Sequence, residues 1–258
     1  MSKAYFVSHG SPMTTVSQHP VRAEWKALGE QIAKQAPAAL IVVSAHWTTT
    51  DPTIGVRSHF DAFHDFYGFP DRLYQLRYEA RGAPETAEAL AEHLAASGLP
   101  IAIDEKRDLD HGAWVPLRDM PALSDVPVIP VSVQPQRSPA WHIDLGRQLA
   151  GFGGNCIVLG SGSVVHNLRT IDFNEQAPVA DWAAAFADKA EQLIRHGDQD
   201  GLIHLSQHPD FHHAHPTPEH WYPLLVAAGA GGTTGAASYR GWAHGTLTMD
   251  SYRWPVSA

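Results

Sequence analysis

The stretch Leu40-Ile41-Val42-Val43-Ser44-Ala45-His46-Trp47 decides the fold of this chain. It opens with four large apolar residues without alternation, three of them β-branched, a pattern typical of a strand that is covered on both faces of a parallel sheet. The side chains then become small at Ser44 and Ala45, and His46 follows. The stretch therefore predicts a buried strand that brings a histidine to its carboxyl end.

Two other stretches repeat this design. Tyr5-Phe6-Val7-Ser8 ends in His9, and Ile157-Val158-Leu159 continues through small residues to His166. In open α/β sheets the ligand crevice lies beyond the carboxyl ends of the strands. A structural histidine that bonds loop backbone is the alternative for each residue alone, but the joint pattern favours one shared site.

Helical periodicity and end signals divide the rest of the chain. Pro and Gly at the expected ends, with apolar residues at helical spacing, predict helices over Val21 to Gln35, Pro84 to Gly98, Ser138 to Gly151, Asp181 to His196 and Thr217 to Gly229. Between the first two helices, the region from Thr48 to Gly82 has no clear pattern beyond the strand end. Irregular regions of this length in compact domains are often functional.

Two segments predict the borders of the sheet. Val126 to Val133 has strand character but contains Pro127 and Pro130, which favours a position near an edge. Thr246 to Tyr252 alternates apolar and polar residues, as an antiparallel strand does. We therefore expect a single α/β domain with a central, mostly parallel sheet flanked by helices and an antiparallel edge near the C-terminus.

Composition excludes several function classes. The net charge of −9 and the lack of a Lys/Arg-rich run argue against a nucleic-acid partner. The single cysteine, Cys156, excludes an intrachain disulfide and a Cys-rich zinc site. No apolar run reaches the roughly 18 to 20 residues of a membrane span, and the N-terminus enters its first strand without a signal peptide, so we expect a cytoplasmic protein. No heptad pattern indicates an oligomeric state.

Histidine is unusually abundant, with 17 residues against 18 lysines and arginines. His111 follows Asp110, a carboxylate that is able to orient and tune an imidazole, although a solvated turn is the alternative. His220 lies at the start of a predicted helix beside Glu219. Neighbouring helical residues point about 100° apart, so both are not expected on one metal, and spacing alone does not choose between them.

A histidine-dense loop and a set of aromatic residues complete the candidates. His208, His212, His213 and His215 lie close together in the sequence, but no HExxH or CxxC spacing indicates a designed site there. Aromatic side chains that could line a pocket, or simply belong to the core, are Trp47, Phe66, Tyr67 and Trp114.

Five blocks carry a resemblance to a known family. They are Ser8-His9-Gly10-Ser11-Pro12-Met13, Ser44-Ala45-His46-Trp47, Asp110-His111-Gly112-Ala113-Trp114, Gly160-Ser161-Gly162-Ser163-Val164-Val165-His166-Asn167-Leu168 and Pro216-Thr217-Pro218-Glu219-His220-Trp221-Tyr222-Pro223-Leu224-Leu225. In this order they resemble the DODA-type (4,5-DOPA) extradiol aromatic ring-opening dioxygenases, in the superfamily of the protocatechuate 4,5-dioxygenase catalytic subunit. The blocks extend over nearly the whole chain.

The resemblance implies one ring-cleavage domain over residues 1–258 and a mononuclear non-haem iron(II) site, with zinc(II) as the metal of some purified forms. It implies metal ligands at His9, His46 and His220, and an acid/base histidine at His166, which alternatively is a fourth ligand. It also implies that His111 lies at the substrate; of the aromatic residues above, we expect Trp47 to contact the substrate as well. Many related dioxygenases use two histidines and a carboxylate, but the DODA-type branch has histidine in the third position, which favours His220 over Glu219.

The implied reaction inserts O2 into a catechol-type ring beside the diol and gives a muconic semialdehyde type product. The partners would then be a small catechol and O2. Two alternatives stay open at this stage. A histidine-bound zinc would generate hydroxide for a hydrolase, and the histidine-dense loop would suit a non-enzymatic metal-binding module.

Overall fold

A computed structural model describes residues 2–232 and 234–255. Its strands are β1 (Ser2–Ser8), β2 (Ala39–Thr48), β3 (Thr53–Gly55), β4 (His59–Asp61), β5 (Glu79–Arg81), β6 (Ala102–Asp104), β7 (Val128–Val133), β8 (Cys156–Gly162), β9 (Ala236–Tyr239), β10 (Trp242–Ala243), β11 (Leu247–Thr248) and β12 (Ser251–Pro255). Its α-helices are α1 (Val21–Ala33), α2 (Asp71–Tyr74), α3 (Pro84–Ala96), α4 (His111–Arg118), α5 (Pro139–Gly151), α6 (Asp181–His196), α7 (Gln199–His204), α8 (Phe211–Ala214) and α9 (Tyr222–Gly231).

Eight strands form one sheet in the order β6-β3-β7-β2-β8-β1-β12-β9. The centre, β7-β2-β8-β1, is parallel throughout. On one side β12 runs antiparallel to β1, and β9 runs antiparallel to β12. The predicted fold class, an α/β domain with a mostly parallel sheet and an antiparallel edge near the C-terminus, is confirmed.

The unbroken apolar run of β2 reflects burial on both faces of the sheet. Successive side chains of a strand point to opposite faces. Accordingly, Ile41 and Val43 belong to the hydrophobic core that also contains residues of α3, α5, α6 and α9, whereas Leu40 and Val42 belong to the second core, under α1 and α4. The sheet is thus the middle layer of three.

The position predicted for β7 is wrong, because this strand lies inside the sheet and not near its edge. It pairs in parallel with β2 along its length, and all six of its residues are buried. On its other side, the ladder to β3 consists of the single pair Ile54–Val131. Pro130 is tolerated since proline removes a ladder hydrogen bond, and few such bonds are required on that side.

The first four predicted helices are present with ends within two residues of the prediction. The fifth begins later, because Pro218–His220 forms a 3₁₀ turn before α9. The region from Thr48 to Gly82, predicted as irregular, contains only the short elements β3, β4, α2 and β5 after β2 ends. Among the described residues, no helix is both long enough and apolar enough to cross a membrane.

Candidate metal centre

The carboxyl ends of β1, β8 and β2 lie side by side and bring His9 and His46 together. Ser8 is in register with Gly162, and Ser44 with Ser161. His9 follows β1 directly, and Gly10 then adopts a positive φ of 66°, which allows the chain to turn there. The ring atoms His9 Nε2 and His46 Nε2 are 3.0 Å apart.

His220 reaches the same point from the other end of the sequence. It ends the 3₁₀ turn Pro218–His220, and its carbonyl oxygen accepts a hydrogen bond of 2.9 Å from Ser163 N–H at the end of β8. This bond anchors the turn to the sheet. His220 Nε2 lies 3.2 Å from His46 Nε2, so the Nε2 atoms of the three histidines converge.

On the outside of the cluster, the second nitrogens of His220 and His9 have hydrogen-bond acceptors, and that of His46 faces a carboxylate at longer range. His220 Nδ1 lies 3.1 Å from Glu219 Oε1, and His46 Nδ1 lies 3.8 Å from Asp65 Oδ2. His9 Nδ1 lies 3.1 Å from Ser161 Oγ, whose own proton goes to the Gly112 carbonyl. Since these partners accept, the protons belong on Nδ1, and the three Nε2 lone pairs face one another.

Burial and mutual proximity keep the three rings neutral. Burial lowers the pKa of His9, of His46 and of His220 well below the usual value, and nearby histidines lower each pKa further. A buried proton on one ring would face two other imidazoles with little water to screen it. The cluster is therefore a set of unprotonated nitrogen donors at neutral pH.

This donor set fits a divalent transition metal. Imidazole suits iron and zinc, and ligating histidines generally donate their other N–H to a carboxylate or similar acceptor. The ligand atoms of His9, His46 and His220 all lie within 4.8 Å of one another. Glu219 is held outside the group as the partner of His220 Nδ1, so the geometry supports His220 in the choice that the sequence left open.

His111 begins α4 beside this cluster, with its ring centroid 3.8 Å from that of His46. Its carboxylate partner is Asp65 and not the adjacent Asp110. Asp65 Oδ1 accepts hydrogen bonds from His111 N–H at 2.8 Å and from His111 Nδ1 at 2.9 Å. Asp110 instead caps α4 and bonds Ser44. The sequence does not predict a role for Asp65, because no motif or spacing around it indicates a site residue.

A second grouping of donors, His46, Asp65 and His111, also lies within metal-binding distance. It is explained by hydrogen bonding within the protein. The Asp65 oxygen nearest His111 already accepts two hydrogen bonds, so it is committed without an ion. The three-histidine cluster is therefore the better candidate for a metal.

His166 lies on the far side of His220, and the two rings stack with centroids 3.5 Å apart and planes 6° apart. Its backbone N–H donates to Ala214. Burial, with a further contribution from His111, lowers the pKa of His166 to about 4. A neutral imidazole next to the cluster is therefore available to accept a proton.

A cavity of about 800 Å³ opens onto these histidines, and its lining includes His46, Asp65, His111 and His166. Apolar and aromatic side chains form much of the remaining wall: Pro12, Met13, Phe66, Tyr67, Phe69, Leu168, Ile171, Phe173, Leu247 and Met249. At its mouth, Tyr67 is 90% exposed and Phe173 98% exposed. Such a cavity suits an aromatic ligand with one polar edge.

Trp47 does not belong to the described lining of this cavity. The expectation that Trp47 contacts the substrate is therefore corrected. Trp47 follows His46 in β2, and successive residues of a strand point to opposite faces. Because His46 faces the cluster, Trp47 faces away and is buried, with the Arg107 guanidinium 5.6 Å from its ring. Trp114, also considered for the pocket, belongs to the core under α4.

The histidine-dense loop does not form a site of its own among the described residues. His215 is buried and its Nε2 bonds the Val164 carbonyl, His213 stacks on Trp182, and His208 pairs loosely with Asp210. None of them belongs to a group that could hold a metal ion in the part of the chain that the structure describes. The loop therefore lends no support to a metal-binding module.

Comparisons with known proteins agree with this site. Residues 3–252 match the family described as the catalytic LigB subunit of aromatic ring-opening dioxygenase. The chain is 38% identical to a 4,5-DOPA dioxygenase extradiol of Beta vulgaris over 98% of this chain and 96% of the relative. It is 36% identical to a 4,5-DOPA dioxygenase extradiol of Escherichia coli K12 over 88% of this chain and 84% of that relative. The crystal structure of the uncharacterized protein JW3007 of Escherichia coli K12 superposes with a TM-score of 0.81 and 30% identity, over 99% of this chain and 100% of the other.

Proposed function

The chain belongs to the LigB family of aromatic ring-opening dioxygenases and is an extradiol dioxygenase, and on that premise we propose that it opens the ring of a catechol at a divalent metal held by His9, His46 and His220. Its substrates are a small aromatic molecule and O2, and the family depends on a metal. The observation that carries the proposal is the convergence of three neutral Nε2 donors, with outer hydrogen-bond acceptors for His9 and His220.

We propose iron(II) as the working metal, a ring-opened muconic semialdehyde as the product, and the cytoplasm as the location. Iron(II) would lower the pKa of the diol hydroxyls and carry electron density between the ring and O2. Zinc(II) would fit the same donors but lacks redox chemistry. That residues 1–258 form one catalytic domain stays a prediction, supported by the match over residues 3–252.

His166 is the proposed general base, in preference to the role of fourth ligand. Because its pKa is about 4, the imidazole is neutral at pH 7 and accepts a proton from a catechol hydroxyl. The same residue then returns the proton as the ring opens. Its stack on His220 holds it at the edge of the cluster and within the cavity lining.

His111 is proposed to contact the diol or the oxygen added to it. Its Nδ1–H is bound to Asp65, so its Nε2 is the atom left for a ligand. The apolar wall formed by Met13, Ile171 and Met249 would bind the rest of the ring and exclude water. Together, these residues give the cavity one polar end and an apolar body, as a catechol requires.

The direct test is anaerobic loading with iron(II), followed by oxygen uptake with a panel of substituted catechols. We expect one O2 consumed per molecule of yellow, ring-opened product, and no uptake by the zinc-loaded protein. His46→Ala should abolish both metal retention and uptake, whereas His59→Ala, at an exposed surface histidine, should retain both. A protein that consumes no O2 with any catechol but hydrolyses esters or amides would overturn the proposal in favour of a zinc hydrolase.

A further inference from the structure

Asp65 lies between the imidazole rings of His111 and His46. It lies in the loop between β4 and α2, its side chain is only 12% exposed, and one oxygen accepts both the backbone N–H and the Nδ1–H of His111. Its other oxygen faces His46 Nδ1 at 3.8 Å. Asp65 is therefore placed as a hydrogen-bond acceptor beside both rings.

The Asp65 oxygen that accepts the backbone N–H of His111 also lies 2.9 Å from His111 Nδ1, so Nδ1 is the donor in that second bond. The proton belongs on Nδ1, and the bond to the backbone N–H of the same residue fixes the carboxylate against the first turn of α4. Within residues 2–232 and 234–255, no protein hydrogen bond engages His111 Nε2. The ring lines the cavity, so Nε2 is the nitrogen available to a ligand.

We propose that Asp65 is a positioning residue that holds His111 as the Nδ1-protonated imidazole and thereby presents an Nε2 lone pair to the substrate. The inference rests on the proposed function for the statement that His111 meets substrate. Asp110, the carboxylate next to His111 in sequence, does not have this role because it bonds Ser44 and the N-terminus of α4.

The rival explanation is that Asp65 only caps α4. Both bonds from His111 go to one oxygen of Asp65, so the cap and the ring contact are lost or kept together in any Asp65 variant. In Asp65→Asn the NH2 group faces either His46 Nδ1 or both donors of His111, and the hold on the His111 ring is weakened. The two explanations are separated by the His111→Ala background, which keeps the backbone N–H that the cap needs but removes the ring.

A kinetic double-mutant cycle on the iron-loaded enzyme tests whether Asp65 acts through His111. We expect Asp65→Asn to lower kcat/KM on the order of 10- to 100-fold in the wild-type background and by less than about twofold in the His111→Ala background. Iron content is measured in each variant and kcat/KM is expressed per bound iron, because Asp65 also faces His46 Nδ1. Equal losses in both backgrounds would overturn the proposal. Asp61→Asn is the matched control, because Asp61 pairs with His59 on the surface and should leave kcat/KM unchanged.

Nitrogen-15 NMR of the zinc-loaded protein gives a readout that is independent of turnover. His111, assigned by loss of its signals in His111→Ala, should show a protonated Nδ1 and an unprotonated Nε2. A wild-type spectrum with the proton on Nε2 overturns the proposal, and this holds even where Asp65→Asn does not fold. If no catechol supports oxygen uptake but the Nδ1–H pattern is present, the proposed function fails while the positioning of His111 by Asp65 stands.

Discussion

Proton positions explain why His9, His46 and His220 differ from an ordinary histidine cluster. Ser161 and Glu219 accept from Nδ1 of His9 and His220, and the Asp65 carboxylate faces Nδ1 of His46 at 3.8 Å, so the protons belong on the outer nitrogens. Without a cation, the inward lone pairs at 3.0 and 3.2 Å repel one another. A divalent ion would convert this repulsion into coordination, since metal affinity requires deprotonated donors that are already oriented.

His166→Ala should leave the metal in place and lower kcat by about 100- to 10,000-fold, the range for loss of a general acid or base. His46→Ala should show the reverse order, with metal lost first and activity lost as a consequence. Metal per chain after gel filtration and kcat with a catechol are measured on both variants. Loss of metal in His166→Ala would make His166 a ligand and contradict its assigned role.

The site depends on close contacts between backbone segments as well as on side chains. Gly162 ends β8 directly beneath His220, and a Cβ atom there would lie 2.2 Å from the His220 carbonyl oxygen. The same carbonyl accepts the hydrogen bond from Ser163 N–H. The absence of a side chain at Gly162 therefore lets the 3₁₀ turn approach the sheet closely enough for His220 to reach the cluster.

Gly162→Ala should push the 3₁₀ turn outward and weaken metal retention, because the backbone oxygen cannot move aside as a flexible side chain can. A shift of about 1 Å would cost about 100-fold in kcat/KM. Metal content and kcat/KM are compared with those of Gly151→Ala, whose added methyl group would meet, among the described residues, only His93 Nε2 at 3.7 Å. Wild-type metal retention in Gly162→Ala would show that the close contact is not needed.

The whole molecule concentrates buried, neutral histidines, and this sets its response to acid. Burial is the main cause that lowers the pKa of six of them: His9, His46, His142, His166, His215 and His220. The unfolded chain binds these protons near pH 6.5, whereas the folded chain does not until the pH is far lower. Stability is therefore present above the unfolded pKa and is lost as the pH falls.

We expect the free energy of unfolding of the metal-free protein to fall between pH 6.5 and 4, by roughly 1.4 kcal/mol per pH unit for each such group. Asp250, whose pKa burial raises to about 6, acts with the opposite sign. Urea titrations at pH 7, 6 and 5 measure the slope. His142→Gln, at a histidine that stacks on Tyr222 and is not one of the three ligands, should reduce the slope, with His59→Gln as the control; a flat profile would contradict the expectation.

The charge of the cavity predicts which catechols are preferred. Its described lining contains two carboxylates, Asp65 and Glu175, and no lysine or arginine, and the whole chain carries a net charge of −9. A substrate carboxylate would enter without a cationic partner, which disfavours binding. Arg57, which lies in the irregular region that also supplies Asp65, is paired with Asp108.

Dopamine and the amide of 3,4-dihydroxyphenylpropionate should therefore have a higher kcat/KM than 3,4-dihydroxyphenylpropionate itself. A difference on the order of tenfold corresponds to about 1.4 kcal/mol. The three compounds are compared at equal ionic strength, because the effect should weaken with salt. Preference for the carboxylate would mean that a basic side chain reaches the cavity in solution.

The sequence alone determined the sheet and the direction of its strands. The uninterrupted apolar run of β2, ending in small residues and His46, required burial on both faces, and burial depends on local composition. It also indicated that His9, His46 and His166 reach one edge, because parallel strands end together. The choice of His220 over Glu219 as the third ligand followed from the family resemblance and not from the spacing of residues.

Only the tertiary structure decided which groups touch. Asp65 lies 46 residues from its partner His111, and no local pattern records a hydrogen bond across that separation. The position of β7 inside the sheet is possible because β3 forms only one ladder pair with it among the described residues. The burial of Trp47 depends on the face of β2 from which its side chain projects. These features arise from packing between distant segments, so the tautomers and outer acceptors of the site became visible only once the chain was folded.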